Sequence, residues 1–174
     1  SLLLLISAGL LIKSLVLLRD VNPGFDPENV LTMRVALPGK FYPEPHQSAA
    51  FFRELTQRVS ALPGVEAAGA ALSLPLGGSS QAGRSFVPEG RPLAPEEALQ
   101  TEYFVLTPDY FKTMRIPVTS GRSFTDRDTA DTPKVVIINE SIARRIFAGE
   151  DPIGKRITVW PDEKFTREIV GVVS

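Results

Sequence analysis

An apolar run occupies residues 2–18, and its polar members are Ser7, Lys13 and Ser14. As a helix rising ~1.5 Å per residue it would be ~26 Å long, slightly less than the ~30 Å core of a bilayer. Three interpretations are open. A signal peptide normally has a basic start and a small-residue cleavage site, and neither is visible here. A helix buried in a domain is normally apolar on one side, whereas apolar residues surround this one.

The third interpretation is the end of a transmembrane helix whose beginning lies before residue 1. In this arrangement Lys13 extends toward the interface, and Arg19 and Asp20 mark the exit into water. We predict this arrangement for residues 1–18.

A turn-rich connector is predicted at residues 19–28. Pro23 and Pro27 prevent a helix from continuing, and Gly24 permits a positive φ. We therefore place the beginning of a separate domain at residue 29 and extend it to residue 174, where we expect the domain to be truncated.

The first half of this domain has the pattern of a β-α-β unit. Residues 29–37 alternate, with Leu31, Met33, Val35 and Leu37 on one face, which predicts a strand. A helix is predicted at 47–62, ended by a Pro-Gly pair. Its apolar positions recur every fourth residue, at Phe51, Leu55 and Val59. The small residues at 65–74 predict a second strand.

Proline and glycine are frequent in residues 75–98. A stretch of this length without regular structure inside a compact domain usually has a role of its own. We predict that it is the mobile part of the domain and the surface that contacts cargo or a partner, with a short strand at 84–87. The whole insertion is placed approximately at 75–130, as a loop-rich β subdomain.

The second half is predicted to be β-α-β-β. The continuous run Val-Val-Ile-Ile at 135–138 indicates a strand that is covered on both faces. These four elements are a strand at 134–139, a helix at 140–147 and a hairpin of strands at 154–160 and 166–173. A strand at 100–106 and a short helix at 108–114 are predicted to precede them. The expected fold class is α+β: a mixed sheet built from β-α-β units, with the inserted subdomain and a preceding apolar helix.

The composition excludes several kinds of chemistry. The 174 residues include 19 Lys and Arg against 20 Asp and Glu, a net charge of −1, so the basic excess of a nucleic-acid binder is missing. Without cysteine there is no disulfide scaffold, thiol catalysis or cysteine-bound zinc. The single histidine, His46, is predicted to lie at the surface rather than to act as a base.

The segment Gly149–Lys155 matches most of a phosphate-binding loop pattern, but three features argue against that function. Arg156 stands where a Ser or Thr should hold magnesium. The segment follows a predicted helix and precedes a strand, the reverse of the required order. Pro152 removes an amide from the cradle. We predict a helix-to-strand turn that uses Gly149 and Gly154, with Lys155 facing solvent.

Asp126, Asp128 and Asp131 suggest a calcium loop at first sight. The spacing fails at Ala130 and again at Ile137, where a bidentate glutamate is required. We predict carboxylates that cap a turn instead.

Two further polar groups have structural interpretations. The glycosylation-type sequence Asn139–Ser141 lies at a predicted strand end, and Arg144 and Arg145 are predicted to lie on a solvated helix face. The sequence therefore predicts no catalytic, cofactor-binding or metal site, and we expect that the chain is not an enzyme. The membrane-anchored hydrolase that stays as an alternative would need a perturbed acid pair, for example at Asp126 and Asp128.

Several blocks, in this order, resemble the FtsX-like permeases of bacterial ABC transporters and their MacB-type periplasmic core domain. They are AGLLIKSLVLLRDVNPGFDPENVLTMRV at 8–35, LPGVEAAGAALSLPLGG at 62–78, TPDYFKTMRIPVTSGRSFTDRDT at 107–129, VVIINESIARRIFAGEDPIGKRI at 135–157 and EIVGVV at 168–173. The resemblance extends over essentially the whole chain. Family members continue past the position of Ser174, so the resemblance implies a fragment.

The resemblance implies a non-enzymatic role. ATP would be bound by a separate cytoplasmic ABC ATPase subunit or domain, and its motion would reach the extracytoplasmic domain through the helix at residues 1–18. Implied partners are that ATPase, a second permease copy, the membrane and a periplasmic or outer-membrane protein, with no nucleic acid and no cofactor. The implied location is the bacterial inner membrane, with residues 19–174 outside the cytoplasm. The alternative is a membrane-anchored partner-binding or sensor domain without transport.

Overall fold

The computed structural model describes residues 2–19, 24–73, 83–90, 99–160 and 166–174. Its elements combine four helices with six strands within that part of the chain, which is the α+β class expected from the sequence. In chain order they are α1 (Leu2–Arg19), α2 (Pro45–Ser60), β1 (Arg84–Pro88), β2 (Leu99–Thr101), α3 (Tyr110–Thr113), β3 (Val118–Gly121), β4 (Val135–Asn139), α4 (Glu140–Ile146), β5 (Arg156–Trp160) and β6 (Thr166–Val173).

One mixed sheet organises the domain around β6. This strand pairs antiparallel with β5 near its beginning and with β3 near its end, and it pairs parallel with β4. Next to β5 come β1 and then β2, both antiparallel. The predicted β-α-β-β order of β4, α4, β5 and β6 is confirmed, and the described strands within 75–130 belong to this same sheet. The strand predicted at 100–106 is too long, because β2 ends at Thr101 and Leu106 makes only an isolated bridge, while the helix predicted at 108–114 is the shorter α3.

Adjacent side chains of β4 and β6 enter two separate apolar clusters, because successive residues of a strand point to opposite faces. Ile138 and Val172 belong to the first cluster, together with α4 and β5 residues, whereas Ile137 and Val173 pack in the second cluster around α3. The prediction of a strand covered on both faces is therefore confirmed for β4.

Two glycines allow β3 to lie close against β6. Gly121 has a φ of 71°, and a Cβ placed on it would overlap the carbonyl oxygen of Val170. A Cβ on Gly171 would overlap the carbonyl oxygen of Arg122. Because no other residue type fits this approach, these positions require glycine.

The β-α-β prediction for the first half is right in its helix and wrong in its strands. Within residues 24–73, the stretches 29–37 and 65–74 are not strands as far as they are described, and Ala71 makes an isolated antiparallel bridge to Leu106. A strand requires a ladder of backbone hydrogen bonds, and no such ladder is formed by 29–37. Its expected apolar face is only half covered, since Leu31 is 90% and Met33 72% exposed, whereas Val35 and Leu37 are half-buried.

The predicted helix at 47–62 is α2, which begins two residues earlier. Pro45 occupies its first turn, where the missing N–H is harmless, and the backbone N–H of Glu44 donates to the side chain of Gln47 at 3.2 Å. Gly64 has a φ of 83° just beyond the end of the helix. No residue of α2 is fully buried.

The apolar run at the start of the chain is a helix, α1, as predicted. Its described large apolar side chains are between 51% and 76% exposed, so the interpretation of a helix buried in the domain is wrong. In the described part of the chain, no helix combines the length and the apolarity needed to cross a membrane. The end of a transmembrane helix at residues 1–18 stays a prediction.

Other sequence-based expectations fall outside the described residues. Most of the stretch 75–98 and the turn around Pro161 are among them. The strand expected at 84–87 is confirmed as β1, while the mobility of 75–98 and the boundaries of the 75–130 insertion stay predictions.

Candidate functional site

The phosphate-loop-like segment Gly149–Lys155 connects a helix to a strand, as predicted. It follows α4 and precedes β5, and Gly149 and Gly154 have φ angles of 79° and 80°. The N–H of Gly154 donates to the carbonyl of Ile169 on β6 at 2.8 Å. The turn is thereby attached to the central strand, and its amides do not form a phosphate cradle at a helix N-terminus.

Lys155 differs from its prediction, because it is only partly exposed. Its side chain is 35% exposed, its ammonium pairs with the carboxylate of Glu150, and it lies 5.4 Å from the centre of the Phe147 ring. Glu150 belongs to the same turn and Phe147 lies at the end of α4, so this lysine is engaged by its immediate neighbours.

Asp128 caps a turn, as the sequence indicates. Both of its carboxylate oxygens accept hydrogen bonds from the Arg122 guanidinium at 2.8 Å, and Oδ2 also accepts from the Thr125 N–H at 2.7 Å. The paired Arg122, and then the Thr125 bonds, outweigh burial and lower the pKa of Asp128 to about 2. This fork-shaped pair fixes the loop that follows β3.

The other two aspartates of this loop do not join Asp128 in a common site. Asp126 lies 3.9 Å from the guanidinium of Arg53 on α2, and Asp131 is exposed. Among the residues that can be described, no group of three or more His, Cys, Asp or Glu is placed to hold a metal ion.

The remaining candidates lie where the sequence predicts. His46 is exposed in the first turn of α2. Asn139 ends β4 and caps α4, its side chain accepting from the Ile142 N–H at 2.9 Å. Arg144 pairs with Glu140 at 3.0 Å on the exposed face of α4, and Arg145 is also exposed. The structure gathers none of these into one site.

The junction between the connector and the second cluster is the feature that joins distant parts of the chain. Phe25 in the connector and Val30, two residues after the connector ends, pack against that cluster, whose core includes two α3 residues. Between them, the N–H of Asp26 donates to the carbonyl of Met114 at 3.1 Å, just past the end of α3. Apolar packing and a backbone hydrogen bond thus fasten the connector to the domain.

Charged groups complete this junction. The Arg115 guanidinium lies 2.5 Å from the Asp26 carboxylate and 4.0 Å from that of Glu66, which follows α2. The Glu28 N–H and then Arg115 hold the pKa of Asp26 below its usual range. One arginine therefore contacts both the connector and the segment after α2.

Sequence reasoning missed this junction because its partners are far apart in the chain. Asp26 and Arg115 are separated by 89 residues, and neither lies in a motif that indicates the other. The one local signal is the spacing Asp26–Glu28, which is typical of a turn closed by an aspartate side chain.

Comparison with known proteins finds similar sequences and structures and one matching family model. The macrolide export ATP-binding/permease protein MacB of Syntrophobacter fumaroxidans is 28% identical over 68 residues, 39% of this chain and 9% of that protein. Among solved structures, the periplasmic region of MacB from Actinobacillus actinomycetemcomitans has 18% identity and a TM-score of 0.49. That alignment covers 70% of this chain and 50% of the other.

The extracellular domain of the noncanonic ABC-type transporter YknZ from Gram-positive bacteria has 20% identity and a TM-score of 0.48, with 71% and 57% coverage. This chain therefore spans only about half the length of these solved domains. The model of the MacB-like periplasmic core domain matches residues 14–174, nearly the whole chain. The chain belongs to the family of MacB-like periplasmic core domains.

Proposed function

We propose that this chain is the extracytoplasmic domain of a bacterial ABC transporter permease in the inner membrane. It couples the ATP-driven motion of a separate cytoplasmic ATPase either to export or to a periplasmic partner. Membership of the MacB-like family over residues 14–174 supports this role, and the apolar helix α1 supports attachment to the membrane. A second permease copy is the expected partner within the membrane.

The observation that carries the proposal is the built-in junction between connector and domain. Phe25 and Val30 lie in the same cluster as Val173 of β6 and Ile137 of β4. A displacement of the chain at residue 24 would therefore act on β4 and β6 through packed side chains, which resist deformation. Motion of the membrane helix would move the sheet with it.

We further propose that the chain itself catalyses no reaction. The segment most similar to a nucleotide-binding loop is a turn between α4 and β5, and its lysine pairs with Glu150. Among the described carboxylates, Asp128 is already engaged by Arg122, which leaves it a poor general base. In this account ATP binds to the ATPase alone.

The test uses the whole permease with its ATPase in lipid vesicles. Leu72 is 70% exposed and the chain has no cysteine, so Leu72→Cys gives a single reporter in this domain. We expect its rate of maleimide modification to change between nucleotide-free and ATP-trapped states. Insertion of six Gly and Ser residues between Arg19 and Gly24 should abolish that change while ATP hydrolysis continues.

The matched control places the same insertion between β5 and β6, within residues 161–165. It should leave the nucleotide response at position 72 intact. If the connector insertion also preserves the response, the domain does not receive its motion through the connector, and the proposed function is wrong.

A further inference from the structure

Arg115 has a backbone conformation that arginine rarely adopts. Its φ is 51°, and among the described residues the other non-glycine residue with a positive φ is Asn29 at 59°. Asparagine tolerates this region comparatively well, whereas a long side chain is disfavoured there.

The hydrogen bonds at the end of α3 show which residue type usually occupies the position of Arg115. The N–H of Ile116 donates to the carbonyl of Phe111 at 2.8 Å, and the N–H of Arg115 donates to that of Lys112 at 3.2 Å. The bond from Ile116 to Phe111 closes the end of α3 in the way that usually places glycine at the left-handed residue. Arginine here costs backbone stability that glycine would not.

The contacts of the side chain indicate what the arginine provides in exchange. Its guanidinium reaches Asp26 at 2.5 Å and approaches Glu66 at 4.0 Å. The side chains of Arg115 and Asp26 are 45% and 40% exposed, and ion pairs this open add little to folding stability. Their effect is geometric, because a guanidinium hydrogen bond restricts the direction of its partner.

We propose that Arg115 is a positioning residue that fixes the connector against the end of α3, at the expense of a strained backbone. The proposal rests on the proposed function, since a fixed connector matters because motion passes through it. Arg115 fixes the direction in which the connector enters the domain. The apolar contacts of Phe25 and Val30 fix how closely this part of the chain lies against the second cluster.

The test measures the distance between spin labels on Leu31→Cys and Ser120→Cys in the whole permease, otherwise free of cysteine. Leu31 follows the packed Val30 and Ser120 lies on β3, and both are exposed. We expect a narrow distance distribution in the parent protein. Arg115→Gly and Asp26→Asn should each broaden it, although Asp26→Asn retains the side-chain oxygen that accepts from the Glu28 N–H.

The matched control is Asn29→Gly, which introduces glycine at the other left-handed position without removing an ion pair. Its distance distribution should stay narrow. The thermal midpoint of Arg115→Gly should equal or exceed that of the parent, because glycine relieves the strain.

Narrow distributions in both Arg115→Gly and Asp26→Asn would overturn the proposal. A thermal midpoint of Arg115→Gly below that of Asp26→Asn would also overturn it, since Arg115 would then be an ordinary structural residue. The proposed function has its own test: it is wrong if the maleimide modification rate of Leu72→Cys does not change between the nucleotide-free and ATP-trapped states. In that case the width of the distribution still decides the role of Arg115.

Discussion

At the scale of single residues, two arginine–aspartate pairs hold different parts of the chain, Arg115 with Asp26 and Arg122 with Asp128. The pair of Arg122 and Asp128 differs from that of Arg115 and Asp26 in burial, because the Asp128 side chain is only 13% exposed. Removal from water strengthens a pair that is fully hydrogen-bonded. We therefore expect Arg122 and Asp128 to contribute to stability and Arg115 and Asp26 to contribute to position.

The stability of the domain should depend on the charge of Asp128 in acid. Its pKa is about 2 in the folded chain against 3.8 ordinarily, so the carboxylate stabilises the fold above pH 4. That contribution, about 2 kcal/mol, is lost as the pH falls from 4 toward 2. Urea titrations at several pH values should show a smaller loss of stability over this interval in Asp128→Asn. An identical pH profile in variant and parent would contradict this assignment.

Gly154 and Lys155 should respond differently to substitution, although they are neighbours. Gly154→Val places a β-branched residue at a φ of 80°, which costs on the order of 1–3 kcal/mol, although no heavy atom lies within 4 Å of the new Cβ. Lys155→Ala removes a partly exposed pair and should cost less than about 1 kcal/mol. Denaturation midpoints measure both effects.

Lys155→Ala also tests whether this turn takes part in nucleotide chemistry. Lys155→Ala should leave the ATPase activity of the whole transporter nearly unchanged, since a true phosphate-loop lysine contacts the phosphates directly. Nucleotide binding to this chain that is lost in Lys155→Ala would mean that the chain has a catalytic role after all.

At the scale of elements, a strand could be predicted where its own residues carry a clear apolar pattern. It was missed where its formation depends on the segment with which it pairs. The run Val-Val-Ile-Ile of β4 is covered on both faces as expected, and β4 pairs with β6, the strand to which β3 and β5 also pair. β3 was not predicted because its four residues, Val-Thr-Ser-Gly, are short and mostly polar. Its pairing depends on Gly121 and Gly171, and close approach between distant glycines leaves no periodic signal.

Alternation alone was insufficient at residues 29–37. The pattern indicates which side chains share a face, but a strand forms only where another backbone segment supplies the ladder. The second cluster instead takes up Val30, and the following Leu31 is left in solvent. The candidate junction was likewise beyond sequence reasoning, because Asp26 and Arg115 meet only after α3 has folded against the connector.

The exposed helix α1 should control association of the chain. Its described apolar side chains form a large surface without cover from the rest of the described chain, and such surfaces bind lipid or one another. Removal of residues 1–18 should convert self-associating chain into monomer, as measured by light scattering after size-exclusion chromatography. If solubility and oligomeric state do not change, α1 has been misinterpreted.

At the scale of the whole molecule, the family could be identified from ordered blocks of sequence, whereas the route of coupling required the structure. The blocks at 107–129 and 135–157 contain α3, β3, β4 and α4, which contribute residues to the two clusters. The connector lies in a different block, and its attachment to α3 is visible only in three dimensions. We therefore propose that the connector, α3 and the sheet move as one mechanical unit.

The most direct test of this account is the distance between spin labels on Ser120 in two copies of the permease, measured by pulsed dipolar spectroscopy in vesicles. Ser120 lies on β3, which pairs with the central strand β6. We predict that the distance changes between the nucleotide-free and the ATP-trapped transporter, because the sheet moves with the membrane helix. An unchanged distance in a transporter that hydrolyses ATP would contradict the central claim.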